Sequence, residues 1–152
     1  SNFQLTIVGG VTSEQDKQYL QKLMKILKEN NLQKHVIFTG KIPFDKISEK
    51  YTASYIFLNP SSTGSMDKTV LEAMASGLFV ITGNEAYNNK EFINNGGFYT
   101  QNDLQEIINT IKFIVQLKSS KKITNLDKGR LWVEKNHSLK HLSKKIFAQI
   151  NE

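Results

Sequence analysis

YIFLNPSSTGSMDKTVLEAMASGLFVIT, residues 55–82, holds a complete strand–turn–helix–strand passage. Tyr55-Ile56-Phe57-Leu58 is an apolar run of strand length that ends in a turn rich in Pro, Ser and Gly. The turn opens a helix in which Glu72 is the one carboxylate among Val, Leu, Ala and Met. Leu78-Phe79-Val80-Ile81 is the next strand. A strand that stops at small residues in front of a helix N-terminus makes an anion site, because free backbone N–H groups and the positive end of the helix dipole face the turn. Lys68 and Glu72 are four residues apart and share one helix face, about 6 Å apart along the axis at roughly 1.5 Å per residue. That spacing suits one ligand with a phosphate at one end and a pair of sugar hydroxyls at the other, such as a nucleoside diphosphate.

Outward from this passage the same alternation continues. Residues 4–8 read as a buried strand ending at Gly9-Gly10, and Ser13 is placed to cap a helix with Asp16 at its third position and Leu20, Leu23, Met24 and Leu27 on one face. Residues 35–38 form a second strand ending at Thr39-Gly40, and residues 43–53 a short helix with Phe44, Ile47 and Tyr51 at helical spacing. After the fourth strand come a short helix near Lys90, a strand at Phe98-Tyr99, and a helix capped by Asn102 with Leu104, Ile107, Ile108, Ile111, Ile114 and Val115 as its apolar stripe. The chain ends in helices over 126–136 and from Leu139 to Ile150, with Trp132 and the last apolar stripe expected in the core. Strands alternating with helices predict an α/β fold: one doubly wound, Rossmann-like domain over residues 3–152, its parallel sheet of about five to six strands covered on both faces. Ligands of such sheets bind beyond the carboxyl ends of the strands, where Gly9, Gly10, Gly40 and residues 61–65 all fall.

A chain of 152 residues, 39% apolar and 22% charged, has room for one domain with a full core. No apolar run reaches the length of a membrane span, and no signal peptide is expected ahead of the first strand. Ser1-Asn2 read as an expression scar. Cysteine is absent, which excludes disulfides and thiolate metal sites and favours a reducing compartment. The net charge of +6 arises from nineteen lysines spread over helix surfaces and a single arginine, Arg130, which is not the arginine-rich, aromatic-rich face of a nucleic-acid binder. His137 and His141 are four apart but lack the carboxylate of a helical metal motif, so no metal site is expected.

The ordered set of Leu5-Thr6-Ile7-Val8-Gly9-Gly10, Val36-Ile37-Phe38-Thr39-Gly40, a strand ending in Pro60-Ser61, the VLEAMASG of residues 70–77, Glu91-Phe92-Ile93 before Gly96-Gly97, and Asn136-His137-Ser138 resembles the nucleotide-binding half of retaining glycosyltransferases of the GT-B fold, group 1 (family 4). The resemblance covers most of the chain. It implies the C-terminal, donor-binding domain of a longer enzyme that moves a sugar from a UDP-, GDP- or ADP-sugar to an acceptor hydroxyl on a glycan or glycolipid, without a metal or other cofactor. The usual setting of such enzymes is the cytoplasm, peripheral to the inner face of the cell membrane. Glu72 would accept hydrogen bonds from the ribose, the backbone N–H groups of Lys68 and Thr69 would hold the pyrophosphate, and those of Ser65, Met66 and Asp67 would face the transferred sugar, with Ser62 and Gly64 also in the donor-binding turn. Gly40, Lys41 and Ile42 would contact the base, while Gly9 and Gly10 would let the chain approach the phosphates.

Two departures qualify these expectations. The family often carries a second glutamate eight residues before the LEAM glutamate, and here that position is Gly64. Asp67 is then either its substitute at the donor sugar or the N-cap of the helix. The acceptor half and its catalytic residues also fall outside this sequence, leaving Asp67 and Lys68 as the candidates for catalytic groups and an isolated chain that binds nucleotide without transferring sugar. Alternatives are a catalytically silent nucleotide-binding or scaffold relative, or a GT-B epimerase or phosphorylase. A receiver-type signalling module would need aspartates clustered at the strand ends, and these strands end in Gly9-Gly10 and Asn59-Pro60.

Overall fold

A computed structural model describes residues 3–119 and 125–150; the Ser1-Asn2 reading lies outside them. The chain divides into two compact units, Ser1–Ile47 and Ser48–Glu152.

In the first unit, strands β1 (Leu5–Ile7) and β2 (Val36–Phe38) pair in parallel, with Leu5 opposite Val36 and Ile7 opposite Phe38. Helix α1 (Glu14–Glu29) connects them. Its start carries the expected capping box: Ser13 Oγ accepts from the Asp16 amide at 3.1 Å, and Asp16 Oδ2 accepts from the Ser13 amide at 3.0 Å and from Thr12 Oγ1 at 2.7 Å. Bonds from Thr12 and Ser13 pull the Asp16 carboxyl down to a pKa of about 2. The expectation of a buried first strand is corrected: Leu5 and Val8 are 44% and 41% exposed. Both strands of a two-stranded ladder are edges, and the single long helix of this unit can cover only one of its faces.

The second unit opens with α2 (Ile47–Thr52), preceded by a 3₁₀ turn at Phe44–Lys46 rather than the continuous helix expected over 43–53. Phe44 is accordingly exposed, whereas Tyr51 is buried. Strands β3 (Ile56–Asn59), β4 (Phe79–Thr82) and β5 (Gly97–Tyr99) form a parallel sheet in that order. All four residues of the central β4 are buried, as a strand covered on both faces requires. Phe79 and Ile81 pack with Ile114 of α5 (Leu104–Ser119), flanked by Ile56, Phe98, Ile107 and Ile111. The alternation of the strand turns Val80 to the opposite face. There α3 (Lys68–Ala75) contributes Val70, Ala73 and Met74 to the buried core, and α4 (Lys90–Asn94) contributes Phe92. Parallel strands with helices around them are the α/β, Rossmann-like architecture expected, but in place of the single sheet of about five to six strands the strands are hydrogen-bonded as a parallel pair in one unit and a parallel triplet in the other.

Helix α3 ends in a Schellman turn, with Leu78 N donating to Ala73 O at 3.1 Å and Gly77 N to Met74 O at 3.0 Å. Helix α6 (Asn125–His137) packs on α3 at Gly129, where a Cβ would stand 2.9 Å from both the Asn95 carbonyl oxygen and Met74 Cγ. Two expectations need correction here. Asp103, not Asn102, caps α5: its Oδ1 accepts from the Glu106 amide at 2.8 Å, while Asn102 sits at φ 59°, outside the extended conformation a cap needs. The apolar stripe of α7 (Leu139–Ile150) is not core: Leu139 is 84% and Phe147 65% exposed, α7 packing chiefly on α6.

Candidate functional site

The turn between β3 and α3 is held from below by buried side chains at the carboxyl ends of β3 and β4. Asn59, the last residue of β3, donates from Nδ2 to Asp67 Oδ2 at 2.7 Å, and its Oδ1 accepts from the Ser61 amide at 3.1 Å and from Thr82 Oγ1 at 3.3 Å. Asn84 donates from Nδ2 to the Ser65 carbonyl at 2.7 Å and accepts from the Ala86 amide at 3.0 Å. The Tyr87 hydroxyl reaches the Asp67 carbonyl at 2.6 Å. Thr82, Asn84 and Tyr87 are essentially inaccessible to solvent. A buried network in which each member finds a partner fixes the loop above it. The hydroxyls of Ser61, Thr63 and Ser65 form a chain over the top at 3.3 Å spacings.

Asp67 is the N-cap of α3. Its Oδ1 accepts from the Thr69 amide at 3.0 Å and from Thr69 Oγ1 at 2.7 Å, and Asn59 takes Oδ2. Burial opposes the Asp67 charge, but the bonds from Thr69 and Asn59 outweigh it and hold its pKa below the usual carboxylate range. Of the two roles weighed for this residue, the cap is what the geometry displays. The same contact occupies the Thr69 amide, one of the two N–H groups expected at the pyrophosphate, and leaves the Lys68 amide at the helix start. Gly64 has φ 70°, a left-handed conformation in which any other side chain is strained.

Glu72 does not pair with Lys68. Its Oε2 accepts from the Tyr51 hydroxyl at 3.2 Å, and burial, reinforced by the Glu72 charge, drives the Tyr51 pKa upward, so the phenol stays a donor. Lys68 and Glu72 open together into a groove of about 620 Å³, walled opposite by Val133 and His137 of α6 and by His141 and Lys145 of α7. Met66 and His137 separate this groove from a second cavity of about 410 Å³, lined by Tyr87, Asn89, Glu91 and Trp132. Burial lowers the His137 pKa against the pull of Glu91, with Lys145 and His141 adding to the lowering. Among the described residues no three His, Asp or Glu side chains converge as a metal site.

In the first unit the ladder continues past the strands, with Gly9 N donating to Gly40 O at 3.1 Å and Gly10 against Lys41. Gly9, Gly10, Gly40 and Lys41 are therefore brought together at the strand ends, with Ile42 next in the chain. The second unit brings together Ser65, Met66, Asp67, Lys68, Thr69 and Glu72, with Ser62 and Gly64 on the turn. Sequence reading missed Asn59, Thr82, Asn84, Tyr87 and the hydroxyl of Tyr51; the signal available was the polar residue closing each strand, Asn59 and Thr82.

The profile of the family described as "Glycosyl transferases group 1" matches residues 1–145. A GDP-Man:Man(3)GlcNAc(2)-PP-Dol alpha-1,2-mannosyltransferase of Dictyostelium discoideum is 27% identical over 85 residues, 56% of this chain. The match spans 17% of that protein's length. No helix among the described residues is long and apolar enough to cross a membrane. With a family match over nearly its whole length and strand–turn–helix elements in the expected order, the chain belongs to the group 1 glycosyltransferases.

Proposed function

We propose that this chain binds the donor of a retaining glycosyl transfer, a nucleoside-diphosphate sugar, as the donor half of a longer two-domain enzyme that passes the sugar to an acceptor hydroxyl. The observation that carries the reading is the shared opening of Lys68 and Glu72 into one groove at the start of α3, with the Glu72 carboxylate aimed by Tyr51 and not neutralised by the lysine. One oxygen of Glu72 accepts the Tyr51 hydroxyl's hydrogen bond, leaving the other for the ribose hydroxyls. Lys68 and its amide meet the diphosphate. When the bond from the anomeric carbon to the diphosphate breaks, its electron pair stays with the departing oxygen, and fixed positive groups stabilise that charge without reorganising. The buried network under residues 61–67 supplies the required rigidity. In this reading neither a metal nor another cofactor takes part, nucleic acid is not a partner, and the isolated chain binds nucleotide without transferring sugar.

The test is calorimetric titration of the chain with UDP, GDP and ADP, repeated on Glu72→Ala. Saturable binding of one nucleotide, weakened by roughly 1–3 kcal/mol in the variant, is the expected result. Equal binding by parent and variant overturns the Glu72 assignment. A second reading, a silent relative that senses nucleotide, draws on Gly64: the position where the family often has a glutamate carries no side chain and a left-handed backbone. Sugar transfer by the full-length protein rejects it.

A further inference from the structure

His137, at the end of α6, and His141 and Lys145, on α7, meet at the corner between the two helices. Four-residue spacing puts His141 and Lys145 on one face of α7, while His137 closes α6. All three line the groove that Lys68 enters from α3. Neither Lys68 nor Lys145 forms an ion pair among the described residues, where the side-chain ion pairs are Lys17–Glu14, Lys25–Glu29 and Arg130–Glu134. Two lysines without ion pairs against one carboxylate leave the groove's lining net positive, which favours a negatively charged occupant. Glu72, the groove's carboxylate, is already turned to Tyr51.

We infer that the groove between α3 and the α6–α7 corner is a diphosphate site, in which Lys68 on one wall and His141 and Lys145 on the other grip the phosphate oxygens while His137 closes the end nearer Met66. This rests on the donor reading above and adds to it a second wall from the C-terminal helices. The two lysines supply charge, and the imidazoles supply N–H donors in either protonation state. The volume of about 620 Å³ exceeds what a diphosphate alone fills and leaves room for the group attached to it. The diphosphate could belong to a soluble nucleotide or to a lipid-linked acceptor, and the chemistry of the grip is the same for both.

The experiment titrates the whole chain with inorganic pyrophosphate, with UDP, GDP and ADP, with the corresponding nucleosides, and with a short isoprenoid diphosphate in neutral detergent micelles. Each titration is repeated on Lys145→Gln, His141→Gln and Glu72→Ala, with circular dichroism confirming that each variant is folded. The expected result is that Lys145→Gln and His141→Gln each weaken pyrophosphate and the preferred nucleotide about tenfold, the contribution of one charge-assisted hydrogen bond, and leave nucleoside binding unchanged. Tighter binding of the isoprenoid diphosphate than of any nucleotide, with the same two dependences, assigns the site to a lipid-linked ligand. If Glu72→Ala loses nucleotide while Lys145→Gln and His141→Gln do not, this inference is overturned and the donor reading stands. If pyrophosphate binds through Lys145 and His141 but no nucleotide binds, the donor reading fails and the diphosphate site stands. Absence of binding by every diphosphate overturns both.

Discussion

The Tyr87 hydroxyl donates to the backbone carbonyl of Asp67 at 2.6 Å, so a residue twenty positions further along the chain sets where α3 begins. Burial, with a smaller push from the Asp67 charge, raises the Tyr87 pKa to about 12, which keeps the phenol protonated and donating throughout the physiological range. Loop, helix start and sheet are joined at this point by one bond.

Tyr87→Phe removes the donor and leaves the ring in place against Phe92. The Asp67 carbonyl still accepts from the Val70 amide at 3.2 Å, so it is not orphaned. The stability loss is therefore about 1 kcal/mol, the net worth of one hydrogen bond. Nucleotide affinity falls more than stability does, because the loop above the groove loses its fixed position. Urea unfolding read beside calorimetry checks both; a loss of stability with unchanged affinity refutes the positioning role.

Tyr51→Phe isolates a different link. It frees Glu72 from its hydroxyl partner without touching the carboxylate. Nucleotide affinity is expected to drop by about three- to tenfold, less than in Glu72→Ala, and the two losses are expected not to add in the double variant because they act through the same oxygen pair. Additive losses would mean that Tyr51 and Glu72 act on separate parts of the ligand.

Acid sensitivity follows from two aspartates. Asp16 has a folded-state pKa of about 2 against an ordinary value of 3.8, and the Asp67 pKa is also lowered. A depressed carboxylate binds protons more readily when unfolded, so its stabilisation is complete above the ordinary value and is lost as pH falls toward the folded one. Melting temperatures measured between pH 5 and about 2 should decline for the parent chain, and more gently for Asp16→Asn and Asp67→Asn. The same slope in parent and variants would show that these caps do not govern acid unfolding.

Gly129→Ala tests how α6 is seated on α3. Alanine gains about 1 kcal/mol of helix propensity, but its Cβ would lie 2.9 Å from the Asn95 backbone oxygen, which cannot rotate away as a side chain can. Overpacking of this kind costs roughly 1–3 kcal/mol, so the net change is destabilising. A lower urea midpoint with unchanged slope is the expected outcome, and a raised midpoint would show that α6 shifts freely.

What could be read in the chain beforehand depended on how local the signal was. The helix of residues 68–75 and the cap at Ser13 follow from neighbours within four residues, and both stand as expected. Asp67 could not be assigned from residue type alone, because a carboxylate at that position suits a cap and a sugar contact equally; the bonds from Thr69 and Asn59, which occupy both its oxygens, appear only in the folded turn. Asn84 and Tyr87 carry no motif; their function appears only when β4 and the loop after it are folded beneath residues 61–67. Asn102 and Asp103 are both good caps by type, and only the left-handed backbone of the first decides between them. The apolar stripe of α7 has the periodicity of a core helix, and periodicity says which face is apolar without saying what covers it.

Gly64→Glu places the family's usual carboxylate where this chain has none. At φ 70° a residue with a Cβ is strained by about 1–2 kcal/mol, although nothing crowds the position within 4 Å. The side chain would project from an exposed turn whose backbone is tied down at Ser61, Ser65 and Asp67 by Asn59, Asn84 and Tyr87. The turn therefore cannot relax to the right-handed conformation without releasing part of that network. The variant is expected to lose about 1–2 kcal/mol of stability in urea unfolding and to bind no sugar nucleotide more tightly than the parent chain does. Tighter binding of a sugar nucleotide with unchanged affinity for the free nucleotide would instead show that the turn adapts and that the glutamate recovers a contact with the sugar.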